Sequence, residues 1–117
     1  MPRKVPYAFF LDLLPNSKPV VKPMFGNHAV YVGKSIVFYL IDKEGNPDNG
    51  ICLATTAEVI PSLMAEFPSL RPLERYGPEA TDWRLFPADA EDFEESVFKA
   101  CKLVEEGDPR IGRMPKS

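Results

Sequence analysis

Few residues in this chain have the types and spacing that chemistry requires. It has one histidine, His28, and two cysteines, Cys52 and Cys101. A cysteine nucleophile needs a base within hydrogen-bond reach and a third group that orients this base. His28 begins a predicted strand, whereas Cys101 lies on the apolar stripe of a predicted helix, so the pattern does not favour a catalytic pair. We interpret both cysteines as buried free thiols.

Metal and phosphate sites lack their usual sequence signatures. A zinc site uses about four ligands, and the chain has no Cys-x-x-Cys or His-x-x-x-His spacing. The polar turn at residues 45–50 lacks the glutamate of a calcium loop, and it precedes a strand instead of opening a helix as a phosphate loop does. The acidic cluster at residues 91–95 is typical of a solvated helix start. We therefore expect no catalytic residue, no metal and no cofactor.

Residues 22–42, KPMFGNHAVYVGKSIVFYLID, form the most patterned stretch and include Met24-Phe25-Gly26. In the interpretation that we favour, Met24 and Phe25 fill the core, and Gly26 permits a backbone turn before a strand. In the alternative, exposed Met24 and Phe25 beside a loop contact a protein or a ligand. A site of this kind would also include His28 and Trp83, although a lone tryptophan is more often an anchor of the core.

Two strand-like runs follow this turn, at residues 28–32 and 35–41, and both are rich in the valine, isoleucine and aromatic residues that strands prefer. Gly33-Lys34 between them predicts a β-hairpin. The second run is apolar on both faces, which indicates a central strand covered by helices or by a second chain. Residues 51–55 predict a third strand and therefore an antiparallel meander, and residues 82–86 predict an edge strand.

Short helices are predicted around these strands. Residues 5–14 predict a helix that Pro15 ends. Residues 15–23 predict an extended linker, because a residue before proline avoids the helical region. Another helix is expected at residues 61–67. The last helix has Asp89 as its N-cap and Gly107 at its end, and one face carries the apolar residues Phe93, Val97, Ala100, Cys101 and Val104.

Charge is distributed unevenly along the chain. Residues 1–41 hold five basic groups and one acidic group, residues 42–108 hold six basic and sixteen acidic groups, and residues 109–117 hold three basic groups. If the two ends meet, they form a basic patch for nucleic acid, made of Arg3, Lys4, Arg110, Arg113 and Lys116. The pI near 5.2 disfavours this hypothesis, because nucleic-acid binders present a strongly basic face.

Two stretches, KPMFGNHAVYVGKSIVFYL and DWRLFPADAEDFEESVFKACKLV, resemble the TfoX N-terminal domain family over about residues 5–106. The resemblance implies an α+β fold, similar to YjbR-like and secretion-chaperone-like domains, with helices packed on an antiparallel sheet. The family is named for a bacterial regulator of competence for DNA uptake, which acts in transcriptional control and carries a second, C-terminal domain. GNHAVYV departs from the family's glycine-rich sequence after Met-Phe-Gly, and the family supplies no catalytic residues to transfer.

We therefore predict a single α+β domain over residues 1–117, with its core at about 5–106 and a flexible basic tail at 109–117. The apolar run at residues 35–41 is too short to span a bilayer, and the segment at 5–14 is interpreted as a core helix instead of a signal peptide. The expected function is that of a cytoplasmic, non-enzymatic interaction module with a protein partner, with homodimerisation as one form of contact. The alternatives are nucleic-acid binding through the basic ends, or a small-molecule binder or enzyme with a pocket at Met24, Phe25, His28 and Trp83.

Overall fold

The strands follow one another across the sheet in the order in which they occur along the chain. They are β1 Val20–Met24, β2 Asn27–Val32, β3 Ser35–Ile41, β4 Gly50–Leu53 and β5 Arg84–Pro87. The computed structural model describes residues 5–74 and 82–113, and over these residues each strand pairs antiparallel with the next in one five-stranded sheet. The predicted α+β class with an antiparallel meander is confirmed, and β3 is the central strand, as its two apolar faces indicated.

Strand β1 is a correction, because residues 15–23 were expected to form an extended linker. Val20 pairs with Tyr31 and Met24 pairs with Asn27, so this segment extends the sheet beyond β2. Its prolines concealed the strand in the sequence. Met24 and Asn27 form the pair that closes the turn, and Pro23 and His28 form the next pair. Because hydrogen-bonded and non-hydrogen-bonded pairs alternate in an antiparallel ladder, the Pro23 nitrogen faces the open edge of the sheet. Pro23 is therefore tolerated in this strand.

The helices pack against one face of the sheet, which we call the helix face. They are a 3-10 helix at Ala8–Leu13, α1 at Ile60–Glu66 and α2 at Phe93–Glu105. The helix predicted at 61–67 is confirmed to within a residue. The helix predicted at 5–14 is shorter and of the 3-10 type, because Tyr7 before it has a φ of 57° and Pro15 follows it.

Helix α2 starts later than predicted and ends where predicted. Asp92, and not Asp89, occupies the N-cap position, because residues 87–93 form turns in which Ala90 N donates to Pro87 O and Phe93 N donates to Ala90 O. At the other end Gly107 has a φ of 77°, and its N–H donates to Val104 O. The left-handed conformation that ends the helix is the one that glycine adopts without strain.

The alternation of side chains along the strands divides the core between the two faces. Phe38 and Leu40 lie in the large cluster on the helix face with residues of all three helices. Tyr39 and Ile41 point to the other face, which we call the cavity face, where they pack with Cys52 and Trp83. Helices cover one face of β3, and on the cavity face Leu73 and Trp83 pack against it. None of the helices in the described ranges is long and apolar enough to cross a membrane.

The segment at residues 109–113 is packed against the sheet, which corrects the expectation of a flexible tail there. Ile111 is only 7% exposed and belongs to the core of the helix face. The backbones of Ile36 and Arg113 exchange two hydrogen bonds of 2.9 Å, and Gly112 N donates to Ala54 O at 2.7 Å. The segment therefore extends the sheet beside β3, beyond the end of β4. Residues 114–117 lie outside the described residues.

Candidate functional site

A cavity of about 740 Å³ opens on the cavity face of the sheet. Its floor consists of Tyr39 and Ile41 from β3 and Cys52 from β4, all of which point away from the helices. Ligand pockets in proteins generally measure roughly 300–1,000 Å³ and combine apolar walls with a few polar groups. This cavity has the size of a binding site, and both apolar and polar residues line it.

Three parts of the chain form the walls of the cavity. The β1–β2 turn contributes Met24 and Phe25, and the segments that flank residues 75–81 contribute Leu73 and Trp83. The β3–β4 loop contributes Lys43, Glu44, Gly45, Asn46 and Asp48. Three of the four residues of the predicted pocket, namely Met24, Phe25 and Trp83, therefore lie together. Because the walls come from turns and the floor from regular strands, a rigid base carries the segments that can vary in sequence.

His28, the fourth residue of the predicted pocket, lies on the other side of the sheet. It is adjacent in β2 to Ala29, which packs with Tyr39 and Trp83 on the cavity face. Successive side chains of a strand point to opposite faces, so His28 points to the helix face. It does not line the cavity. His28 lies close to the site along the chain, but the sequence could not show to which face of the sheet its side chain points.

Tyr39 connects the floor of the cavity to two walls. Its hydroxyl donates to Met24 O at 3.1 Å and accepts from Asn27 Nδ2 at 3.1 Å. Its ring meets that of Trp83 edge to face, with centroids 5.9 Å apart and an interplanar angle of 83°. Trp83 is thus both a packing anchor, as expected for a lone tryptophan, and a wall of the cavity.

Phe25 occupies an unfavourable position for a large aromatic side chain. It has a φ of 51° and the following Gly26 a φ of 78°, which is the pattern of a type I′ turn, in which asparagine, aspartate and glycine are preferred. Phe25 is also 88% exposed. The expectation that Phe25 fills the core is wrong. The turn at Gly26 is confirmed, and Met24 is half-buried at the cavity wall.

Lys43 closes one side of the cavity mouth. The side-chain amide of Asn49 holds its backbone at two points, since Oδ1 accepts from Lys43 N and Nδ2 donates to Lys43 O, both at 2.8 Å. The Lys43 ammonium lies over Gly26, where a Cβ atom would be only 3.1 Å from Nζ. The absence of a side chain at Gly26 therefore gives the ammonium its place between the loop and the turn.

Asp48 is a buried carboxylate in the same loop, with 2% of its surface exposed. It accepts hydrogen bonds from Arg71 Nη1 at 3.2 Å and from Glu74 N at 2.8 Å, while Arg71 Nη2 donates to Pro47 O at 2.8 Å. These bonds join the β3–β4 loop to the segment that carries Leu73. A buried charge requires such partners, so the role of Asp48 is to fix the wall of the cavity.

Both cysteines are buried free thiols, as predicted. Burial raises the pKa of Cys52 well above its ordinary value, and the Asp48 carboxylate raises it further, while Arg71 acts in the opposite direction. Burial, followed by the charge of Glu105, raises the pKa of Cys101 to about 12. The thiolate is the nucleophilic form, so neither thiol is activated near neutral pH.

The basic residues proposed for nucleic acid are already engaged where the structure describes them. Arg110 Nη2 lies 2.9 Å from Asp108 Oδ2 and 3.1 Å from Glu66 Oε1. The hydrogen bonds from Arg110 hold the pKa of Asp108 below its usual range. Arg113 Nη1 lies 3.9 Å from Asp82 Oδ2. Arg3, Lys4 and Lys116 lie outside the described residues.

Sequence reasoning missed Tyr39, Ile41, Lys43 and Cys52 as parts of one site. Alternation along β3 places Tyr39 and Ile41 on the same face, and this signal was present in the sequence. The position of Lys43 depends on the loop conformation, for which no sequence pattern gave a signal. Over residues 5–74 and 82–113, no group of three or more histidine, cysteine or acidic residues is placed to hold a metal ion.

Comparisons with known proteins give no match to a family model, to a curated protein or to a solved structure. The function is therefore argued from the geometry of the cavity and from the residues that line it.

Proposed function

We propose that this protein is a non-enzymatic recognition module, and that its cavity and Phe25 together bind an apolar group of a partner protein. The observation that carries this proposal is the conformation and exposure of Phe25. An aromatic residue at positive φ costs about 1 kcal/mol or more relative to glycine, and an 88% exposed ring recovers little of this cost by packing. A partner that covers the ring would offset this cost by packing against it.

The chemistry of the cavity supports binding over catalysis. The Cys52 thiol is held protonated, and the Asp48 carboxylate is engaged by Arg71 and by a backbone N–H. His28 points to the opposite face. A general base has to lie within hydrogen-bond reach of a bound substrate, and the described lining places neither an imidazole nor an activated thiol there.

The family resemblance supports a context for this recognition. We infer that the protein belongs with TfoX N-terminal domains and acts in the bacterial cytoplasm through protein contacts in transcriptional regulation. This context rests on the sequence stretches at residues 22–40 and 82–104. The cavity and Phe25 are the surface through which such contacts would be made.

The test is a selection of displayed peptides against the purified protein, followed by affinity measurements on variants. We expect peptides with a large apolar residue that bind the wild type and bind the Phe25→Asn variant at least about tenfold more weakly, as is usual for an interface anchor. Phe98→Asn is the matched control, because Phe98 is 55% exposed on α2, away from the cavity. Binders that are insensitive to Phe25→Asn would contradict the proposal.

A second candidate is the binding of a small molecule, and the size of the cavity favours it. A volume of about 740 Å³ accommodates a drug-sized compound. A fragment screen by NMR discriminates the two functions. Fragments that bind in the cavity of a protein for which no displayed peptide is selected would support small-molecule binding, whereas selected peptides that depend on Phe25 would support recognition of a protein segment.

A further inference from the structure

The charges around the cavity are arranged asymmetrically. The floor is uncharged, since it consists of Tyr39, Ile41 and a protonated Cys52. The buried Asp48 carboxylate is neutralised by Arg71 at 3.2 Å. At the mouth, by contrast, the Lys43 ammonium lies over Gly26, and none of the carboxylates in the described residues comes within 4.0 Å of it. Glu44 also lines the cavity, and its carboxylate makes no ion pair with Lys43.

The position of the Lys43 backbone is a consequence of the fold. Asn49 holds the Lys43 backbone through both its N–H and its carbonyl, so the side chain starts from a fixed point on the loop. It then reaches across to the β1–β2 turn, where glycine leaves room for it. Lys43 is exposed, so water partly screens its charge, and the ammonium attracts an anion at the mouth with a modest energy.

We propose that the cavity selects a carboxylate carried on an apolar body, with Lys43 as the residue that determines this specificity. The apolar body packs against Tyr39 and Trp83, and the carboxylate pairs with the Lys43 ammonium at the mouth. This inference rests on the proposed function and deepens it, because it states the chemistry of the group that the cavity recognises. The carboxylate belongs either to a free organic acid or to an acidic residue beside a large apolar residue in a partner segment.

Three small probes of matched shape test the charge preference: 3-phenylpropanoate, 3-phenylpropan-1-ol and 3-phenylpropan-1-amine. Trp83 is the only tryptophan, so its indole N–H signal in NMR reports occupancy of the cavity. We expect the acid to bind about threefold more tightly than the alcohol, as for a partly exposed ion pair, and the amine to bind most weakly. The advantage of the acid should decrease at high salt.

Variants assign the preference to Lys43. Lys43→Met keeps the apolar stem and removes the charge, so the acid and the alcohol should then bind equally. Lys34→Met is the control, since Lys34 lies in the exposed turn between β2 and β3 and does not line the cavity, and it should leave the preference intact. Equal binding of all three probes to the wild type, or a preference that survives Lys43→Met, would overturn the inference.

The failure of the inference is distinguishable from the failure of the proposed function. If no probe and no selected peptide moves the Trp83 signal, then the cavity is not a recognition site and both fail. If peptides bind through Phe25 without a preference for carboxylates, only the inference fails. The blocked peptide acetyl-Gly-Phe-Asp-Gly-amide identifies the source of the carboxylate: tighter binding than that of 3-phenylpropanoate assigns it to a partner segment, and weaker binding assigns it to a free acid.

Discussion

Tyr39 and Trp83 meet edge to face at the cavity, with ring centroids 5.9 Å apart, although one residue lies at the centre of the sheet and the other precedes its last strand. The contact fixes the wall that carries Trp83 against the floor that carries Tyr39. The tyrosine hydroxyl in turn fixes the β1–β2 turn through Met24 O. The Tyr39 side chain therefore links the floor of the cavity to two of its walls.

Replacing Tyr39 by phenylalanine tests this role. The variant keeps the ring contact with Trp83 but leaves Met24 O and Asn27 Nδ2 without their partner, so we expect it to lower the free energy of unfolding by about 1 kcal/mol. The measurement is urea denaturation. Tyr31→Phe is the control, with an expected change of less than about 0.5 kcal/mol, because the Tyr31 hydroxyl has no hydrogen bond to the described residues. Equal effects of the two changes would contradict the assigned role.

Replacing Phe25 by asparagine should make the protein more stable. Asparagine tolerates positive φ, and an exposed ring has little packing to lose, so the free energy of unfolding should rise by up to about 1 kcal/mol. Phe25→Leu is the matched control, because it keeps the strain at positive φ and should leave stability almost unchanged. A loss of stability in the asparagine variant would show that the Phe25 ring contributes to the fold and is not held for recognition.

The buried thiols predict a loss of stability at alkaline pH. Below about pH 9 the Cys101 thiol is protonated in the folded and in the unfolded chain. Above this pH only the unfolded chain releases the proton, because burial raises the folded pKa to about 12. The free energy of unfolding should therefore fall with rising pH, by about 1.4 kcal/mol per pH unit for each such thiol.

Urea denaturation between pH 8 and pH 11 measures this slope. Cys101→Ala should make the fall in the free energy of unfolding less steep by about 1.4 kcal/mol per pH unit, while the Cys52 thiol continues to contribute. The comparison of slopes is independent of any loss of stability that the substitution itself causes. An identical slope in the wild type and the variant would show that Cys101 is not held protonated by burial.

Ile111 provides a test of the packed segment at residues 109–113. Its side chain is 7% exposed within the core of the helix face, so Ile111→Ala should cost about 2–3 kcal/mol, whereas in a flexible tail the same change would cost nothing. Ile111→Val should cost about 1 kcal/mol and so give an intermediate result. Denaturation midpoints that are unchanged in both variants would contradict the packing.

Local patterns predicted the parts of the fold that depend on neighbouring residues in the chain. Valine, isoleucine and aromatic residues on both sides of Gly33-Lys34 gave the β2–β3 hairpin, and the apolar stripe and Gly107 gave α2. Strand β1 was missed because the prolines at residues 19 and 23 are compatible with a strand only at the edge of a sheet, and this position is a property of the tertiary structure.

The site was predicted in part for the same reason. Met24, Phe25 and Trp83 attracted attention by residue type, and the fold brings them to one cavity. The face on which His28 lies depends on the register of β2, and a shift of one residue in register would have moved it to the cavity. The position of Lys43 depends on a loop whose conformation is determined by Asn49, which no periodic pattern predicts.

The proline in β1 has a consequence for the behaviour of the protein at high concentration. An open edge strand can accept a strand from a second molecule, and repeated addition of strands in this way builds fibrils. At Pro23 the open edge offers no N–H to an incoming strand, and the neighbouring Lys22 is an exposed charge. Growth of the sheet from this edge is thereby hindered, beside the turn at which the protein presents an exposed aromatic side chain.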